Sequence, residues 1–136
     1  PSAEFCMVVL HYLLNAQFVP LTGKIISEKQ IKGGSTFFRG PHALLVEPVK
    51  SRYENDAAGF IEAGMRLEAR QVKYGDAALE LWPFPRIPVT YILWLKDEEF
   101  PAQVSVVFDS SIEDHLPLDI IFGLINVVTK RLIRAS

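Results

Sequence analysis

The stretch FPRIPVTYILWLKDEEFPAQVSVVFDSS, residues 84–111, carries the clearest structural signal in this chain. It contains two runs rich in Val, Ile, Tyr and Trp, at 88–95 and 103–109, and this composition is typical of β-strands. The link between them, 96–102, is too short for a parallel crossover, which needs roughly a dozen residues or more, so the strands are predicted to pair antiparallel. The first run is apolar on both faces, which predicts a central strand covered on both sides.

Three helices are predicted upstream of these strands. Residues 4–18 are apolar around most of a helical circumference but too short to cross a membrane, which predicts a buried helix. Pro41 suits the first turn of a helix that extends towards Tyr53 and is kinked or broken at Pro48. Asp56 suits the cap of a third helix, because its carboxylate can accept hydrogen bonds from the free amides of the first turn.

Further strands and a last helix complete the fold class. Residues 24–26, 68–72 and 78–84 predict three more strands. The segment 117–134 has an apolar stripe at helical spacing and ends in basic residues, which suit the negative end of a helix. The chain is therefore predicted to be an α+β protein, with an antiparallel meander of about three to five strands, N-terminal helices and one long C-terminal helix.

Length and charge bound the class of protein. The chain has 136 residues, which fits a single domain spanning 1–136. Its formal net charge is −2, so it lacks the basic field that attracts nucleic acid, and no nucleic-acid partner is predicted. No apolar run approaches the length of a membrane span and no leader pattern is present, so we expect a cytoplasmic protein that does not enter the membrane.

Cys6 is the only cysteine of the chain. One cysteine excludes an intramolecular disulfide and a metal site built from cysteine ligands of this chain. Because Cys6 lies in an apolar run, we expect an inert, buried thiol. The three histidines are scattered without metal-ligand spacing, so no metal site is predicted.

The acidic corner Asp97-Glu98-Glu99 joins the two strands of the opening stretch. Carboxylates such as that of Glu99 are ligands for hard cations, which makes the corner a candidate cation site. Consecutive residues of a turn rarely face one ion, however, and no calcium-loop pattern accompanies them. We therefore favour a solvated turn in which Phe100 is tucked inward and Pro101 stops further strand pairing.

A second group of candidates follows the last strand. Asp109 ends that strand, and His115 and Asp119 lie in the loop and helix start that follow. A carboxylate beside an imidazole can orient it as a general base or as an axial ligand. The same residues can instead form a capping network, in which Asp109 accepts backbone amides of the turn through Ser111.

Aromatic residues and one more histidine give a third set of candidates. Trp82, Phe84, Tyr91 and Trp94 either line a pocket for a planar ligand or fill the interface between helices and sheet. His42 is a candidate axial ligand for a tetrapyrrole. The sequence contains no serine-nucleophile elbow, no phosphate-binding loop and no dinucleotide fingerprint, so no catalytic residue is assigned.

Several short motifs together resemble a known family. They are HYLLNA at 11–16, GKIIS at 23–27, Pro-x-x-Pro at 85–88, Trp94, Asp-Glu-Glu-Phe-Pro at 97–101, Phe-Asp-Ser at 108–110 and His-Leu-Pro at 115–117. The chain resembles, over nearly its whole length, the domain family of unknown function 3786 of anaerobic bacteria and archaea. The resemblance implies a longer parent protein with a segment before the HYLLNA helix. It implies no activity and no catalytic residues.

Three functional hypotheses remain open at this point. The first is a small accessory protein of anaerobic metabolism that binds a ligand or a protein partner without catalysis. The second is an enzyme in which His115 and Asp109 form an acid–base pair. The third is a tetrapyrrole or corrinoid binding protein with His115 or His42 as axial ligand. The identity of any cofactor and the oligomeric state are left open by the sequence.

Overall fold

Five antiparallel strands form one sheet in the computed structural model, which describes residues 2–136. The sheet order is β1-β5-β4-β3-β2, from β1 (Ile25–Ser27), β2 (Arg70–Val72), β3 (Ala77–Phe84), β4 (Ile87–Trp94) and β5 (Gln103–Asp109). The helices are α1 (Ala3–Asn15), α2 (Gly34–Phe37), α3 (Glu47–Tyr53), α4 (Ala57–Arg66) and α5 (Leu118–Arg134). The predicted α+β class, with N-terminal helices and a long C-terminal helix, is confirmed.

The central pair of strands has the predicted antiparallel arrangement. Val89 lies opposite Phe108, and the pairing continues to Trp94 opposite Gln103. On the other side, β4 pairs with β3 through a tight hairpin, and the short β1 and β2 form the two edges. Short edge strands limit pairing with other chains.

One face of β4 packs against α5. Tyr91 is fully buried there, and its hydroxyl lies 2.8 Å from Oγ1 of Thr129. Thr129 donates its own proton to the carbonyl of Leu45 at 2.7 Å, so Tyr91 is the donor to Thr129. This chain of hydrogen bonds joins the sheet, α5 and the segment before α3, and burial raises the pKa of Tyr91.

The opposite face of β4 differs from the prediction that both sides are covered. Ile92 is buried beneath the turn at Gly75, but Trp94 is 38% exposed. Thr90, on the same face, is also buried, so this face is covered along the middle of the strand and open at its end. Apolar residues on both faces of a strand indicate burial but do not tell which element provides it.

The helix α1 also differs from the prediction of full burial. Only Val8 and Tyr12 are buried, whereas Leu13 is 72% and Leu14 73% exposed. Cys6 is exposed as well, so the expected buried thiol is wrong. The helix packs along α5 by one side, and nothing in the described residues covers the other side.

The segment 41–53 is not one kinked helix. Gly40–His42 forms a 3₁₀ turn, and α3 begins separately with Pro48 in its first turn. A proline in the first turn removes no intrahelical hydrogen bond, because the amides of that turn have no acceptor inside the helix. Pro48 therefore starts a helix here and does not bend one. Asp56 caps α4 as predicted, accepting the amide of Gly59.

No helix among residues 2–136 combines the length and the apolar character that a membrane crossing requires.

The buried hydroxyl chain yields a stability prediction. Thr129→Val removes both hydrogen bonds and leaves the Leu45 carbonyl without its donor, so we expect the free energy of unfolding to fall by about 2–3 kcal/mol. Tyr91→Phe removes only the terminal hydroxyl and leaves Thr129 bonded to Leu45, so a loss of about 1 kcal/mol is expected. Urea unfolding of both variants measures the difference, and equal losses would contradict this arrangement.

Candidate functional site

Asp109 is a buried carboxylate at the end of β5, and its oxygens accept hydrogen bonds from the loop before β1. The amides of Thr22 and Gly23 donate to it at 3.0 and 2.9 Å, and the amide of Ser111 donates at 3.0 Å. The Ser111 hydroxyl also donates. Burial raises the pKa of Asp109, but these hydrogen bonds together outweigh burial and hold the pKa below its ordinary value. The carboxylate is therefore ionised, and both of its oxygens accept hydrogen bonds.

His115 is 1% exposed and holds the same loop from its other end. Its Nδ1 accepts the amide of Gln17 at 3.1 Å, which places the proton of the neutral ring on Nε2. Nε2 is buried without a hydrogen-bond partner. Burial lowers the pKa of His115 and the Arg86 guanidinium lowers it further, while Asp114 opposes them. A neutral imidazole results.

The predicted acid–base group is not assembled as a pair. The hydrogen bonds of His115 and Asp109 go to the loop 16–24 and not to each other, and Asp119 is exposed in the first turn of α5. The two buried residues flank a 3₁₀ turn, Ser110–Asp114, and act as a clamp on the connection between α1 and β1. This geometry corresponds to the capping network considered from the sequence.

The acidic corner is a turn organised by Asp97. Its carboxylate accepts the amides of Glu99 and Phe100 at 2.8 and 2.7 Å. Glu99 is exposed, as a solvated turn requires. Phe100 is 66% exposed, so the expectation that it tucks inward is wrong. The hydrogen bonds of Asp97 shape the turn without a buried aromatic anchor.

His42 and Trp94 lie apart from each other and from the clamp. The exposed ring of His42 stacks on Phe37, with centroids 4.6 Å apart, and meets the edge of Phe122. Trp94 lies on the outer face of the sheet against the turn at Gly75. Within residues 2–136, no group of three or more His, Cys, Asp or Glu side chains is arranged to hold a metal ion.

A cavity opens where β3 departs from regular pairing. The register with β4 shifts between Leu81 and Phe84, so Trp82 and Pro83 lie in an irregular part of the strand. Proline has no N–H to donate, and Pro83 lies beyond the end of the β2 pairing, where β2 requires no donor from β3. Such irregularities re-aim side chains next to binding sites. Here the shift leaves an opening between β3, α1 and α5.

We call this opening the bulge cavity; its volume is about 200 Å³. The floor is formed by buried aliphatic side chains of α1, β3 and α5, and the rim by aromatic side chains and one guanidinium. The lining residues are Phe5, Val8, Leu67, Leu81, Trp82, Pro83, Phe84, Leu124, Val127, Val128 and Arg131. The ring of Phe84 is held by stacking on Tyr12, with centroids 4.2 Å apart and planes inclined by 10°.

Arg131 supplies the only charge in the lining of the bulge cavity. Its guanidinium lies 4.9 Å from the centroid of the Phe5 ring. It takes no part in the ion pairs found among residues 2–136, whereas its neighbour Lys130 pairs with Glu4. A guanidinium without a carboxylate partner at the mouth of an apolar cavity is suited to an anionic group of a ligand.

Sequence reasoning named two of these lining residues, Trp82 and Phe84, as parts of a planar-ligand pocket. Their other two companions lie elsewhere: Tyr91 is buried under α5 and Trp94 faces outward. The sequence marks Arg131 only as a basic residue near the end of a helix. Pro83 inside a strand is the one sequence signal of an irregularity.

These features define an α+β protein with helices on one face of a five-stranded antiparallel sheet and a small apolar cavity at a strand irregularity. The chain belongs to the family described as "Domain of unknown function (DUF3786)", whose sequence model matches residues 1–131. This match confirms the resemblance seen in the sequence motifs. No curated protein and no solved structure matches the chain.

The hydrogen bonds of Asp109 in the clamp predict that the isosteric change Asp109→Asn lowers the stability of the protein strongly. Asp109→Asn replaces one acceptor oxygen by an NH₂ group that faces amide donors, so we expect a loss of about 2–4 kcal/mol in the free energy of unfolding. Asp114→Asn is the control, since this carboxylate is exposed, and its loss should stay within about 0.5 kcal/mol. Chemical denaturation at neutral pH compares the two, and similar losses would contradict the clamp.

The buried imidazole predicts a pH dependence of stability. Because the pKa of His115 in the folded protein lies below the ordinary value of 6.5, the unfolded chain takes up a proton first as the pH falls. The stability contributed by neutral His115 is thus present above about pH 6.5 and is lost as the pH falls below it.

His115→Gln should therefore lose less stability than the native chain between about pH 7.5 and pH 5. The pKa of Asp109 lies below 3.8, outside this window. Thermal unfolding at a series of pH values makes the comparison, and parallel curves for the native chain and His115→Gln would refute the assignment.

Proposed function

We propose that the protein is a small, non-catalytic ligand-binding module, and that the ligand is a small anion with a flat apolar body held in the bulge cavity. The observation that carries the proposal is the unpaired guanidinium of Arg131 over a cavity whose other walls are apolar. Ligand pockets generally combine an apolar lining with a few polar groups that fix orientation.

The size of the cavity supports a ligand of about one ring. Its volume is about 200 Å³. A cavity of roughly 150 Å³ holds benzene, and drug-sized ligands occupy about 300–1,000 Å³. An aromatic monocarboxylate, or a branched aliphatic one of similar volume, fits these limits. A tetrapyrrole exceeds them, and no histidine lines any of the four cavities described, so the axial-ligand hypothesis gains no support here.

The aromatic rim supports a flat ligand. Trp82 and Phe84 lie on one side of the opening and Phe5 on the other. Offset stacking and edge contacts with such rings stabilise an aromatic ligand by roughly 0.5–1.5 kcal/mol beyond simple burial. The stacking of Phe84 on Tyr12 and the position of Arg131 over Phe5 hold the rim in place before a ligand enters. Little ordering is then needed on binding.

The acid–base alternative has less support from the geometry. His115 is buried and its Nδ1 is occupied by a backbone amide, while Asp109 is saturated by loop donors. A general base needs to reach the proton that it removes from a substrate. The accessory role in anaerobic metabolism remains part of our proposal; it rests on the family and on the lack of a catalytic motif.

Benzoate and its uncharged analogue benzyl alcohol test the proposal. We expect benzoate to shift the amide resonances of Leu81, Trp82, Phe84 and residues 124–131 in two-dimensional NMR spectra. Benzyl alcohol should bind at least about tenfold more weakly, because it lacks a charge for Arg131. Arg131→Gln should weaken benzoate binding about tenfold and leave benzyl alcohol unchanged.

Arg134→Gln is the matched control, because Arg134 lies in the same last turns of α5 but does not line the bulge cavity. It should bind benzoate as the native chain does. If benzoate produces no shifts at these residues, or if both arginine variants weaken it equally, the proposed ligand site is wrong.

A further inference from the structure

The side of α1 that faces away from the core is apolar and exposed. The helix packs on α5 by the opposite side, where Val8 is buried and Glu4 bonds to Asn126 at 3.0 Å. The outward side chains that we call the α1 face are Ala3, Cys6, Met7, Leu10, Leu13, Leu14 and, just beyond the helix, Phe18. Phe18 is 93% exposed.

The α1 face is at the upper end of what a protein that works alone exposes. Together its exposed side chains present roughly 600 Å² of apolar surface, and the largest patch on a typical monomer is about 300–600 Å² and is often functional. Two such faces in contact bury roughly 1,200 Å² in total, which reaches the lower limit of a specific protein interface. The area therefore suits a protein partner of helical dimensions.

The helical part of the α1 face carries no charge, whereas at its far end the guanidinium of Arg86 lies 4.1 Å from the centroid of the Phe18 ring. From Phe5 to Gly23 the sequence contains no Asp, Glu, Lys or Arg. Helices that lie on membranes carry Lys and Arg on their polar side, and here the other side of α1 is occupied by α5. The lack of basic residues in the helix itself argues against a lipid surface. A second apolar helix can approach the helical part of the face without desolvating ions.

The spacing of the face matches a second copy of itself. Ala3, Met7, Leu10 and Leu14 are separated by four, three and four residues, the spacing of the seam between two packed helices. The separations are the same when they are counted from either end of the helix. In an antiparallel pair Met7 lies opposite Leu10 of the other copy, and the small Ala3 lies opposite the large Leu14. Antiparallel helix dipoles also attract each other.

We propose that the protein forms a twofold dimer in which α1 packs antiparallel against α1 of a second copy. This inference is independent of the ligand site, because the bulge cavity uses Phe5 and Val8 on the inward side of α1. Twofold dimers with one self-complementary patch are the commonest homo-oligomers.

Charged substitutions on the face test both the dimer and its direction. Met7 and Leu10 are each about half exposed in the isolated chain, at 49% and 50%, so a charge there leaves the fold intact. We expect the native chain to sediment as a dimer at micromolar concentration, and Leu10→Glu and Met7→Lys each to raise the dissociation constant by at least about tenfold.

Mixing the two variants should restore the dimer, because an antiparallel pair places the ammonium group introduced by Met7→Lys in one copy opposite the carboxylate introduced by Leu10→Glu in the other. Phe100→Glu, at an exposed aromatic in the turn between β4 and β5, is the control and should remain dimeric. Circular dichroism confirms that each variant is folded. If the native chain is monomeric at micromolar concentration, or if the dimer survives both α1 variants, the proposal is wrong. If the two variants remain monomeric on mixing, the antiparallel register is wrong.

Discussion

The packing of α5 across the sheet positions the helices α1, α3 and α4. Its buried side chains Ile121, Ile125 and Leu132 cover the inner face of the central strands. The helices α3 and α1 also make polar contacts with α5. Tyr53 of α3 donates to the Leu132 carbonyl at 3.1 Å, and Asn126 donates to Glu4 of α1.

This arrangement explains why Asp109 and His115, which resemble an acid–base pair in the sequence, stabilise the fold. The loop before β1 crosses the end of the sheet, where its amides lack strand partners. Asp109 and His115 provide those partners, one at each end of the loop. A buried carboxylate that accepts several amides is stabilising, whereas the same carboxylate as a free base would carry an uncompensated desolvation cost. The two residues therefore belong to the architecture of the loop.

The helix α1 has two functional sides in our proposals. Its inward side contributes Phe5 and Val8 to the bulge cavity, and its outward side carries the α1 face. Both features have the same origin, since the helix is apolar around most of its circumference and packs mainly against α5. A helix in this position leaves an opening beside the irregular end of β3 and an unpartnered surface on its far side.

Strands, helix caps and short links are determined by neighbouring residues, so they could be recognised from the amino-acid sequence alone. The β5 strand begins and ends at the predicted residues, β4 is displaced by one, and Asp56 caps α4 as expected. Strand propensity, capping chemistry and the short link between β4 and β5 act within a few residues, so they can be recognised without the fold. The family was also recognisable from motifs spread along the chain.

Which apolar residues are covered depends instead on how the elements pack in three dimensions. Cys6, Leu13, Leu14 and Phe100 were indistinguishable from core residues by composition, yet they are exposed. The partners of Asp109 and His115 lie 87 and 98 residues away in the chain, and the bulge cavity joins α1, β3 and α5. Burial and pairing of this kind depend on which elements meet in space, and side-chain periodicity records only how apolar each face is.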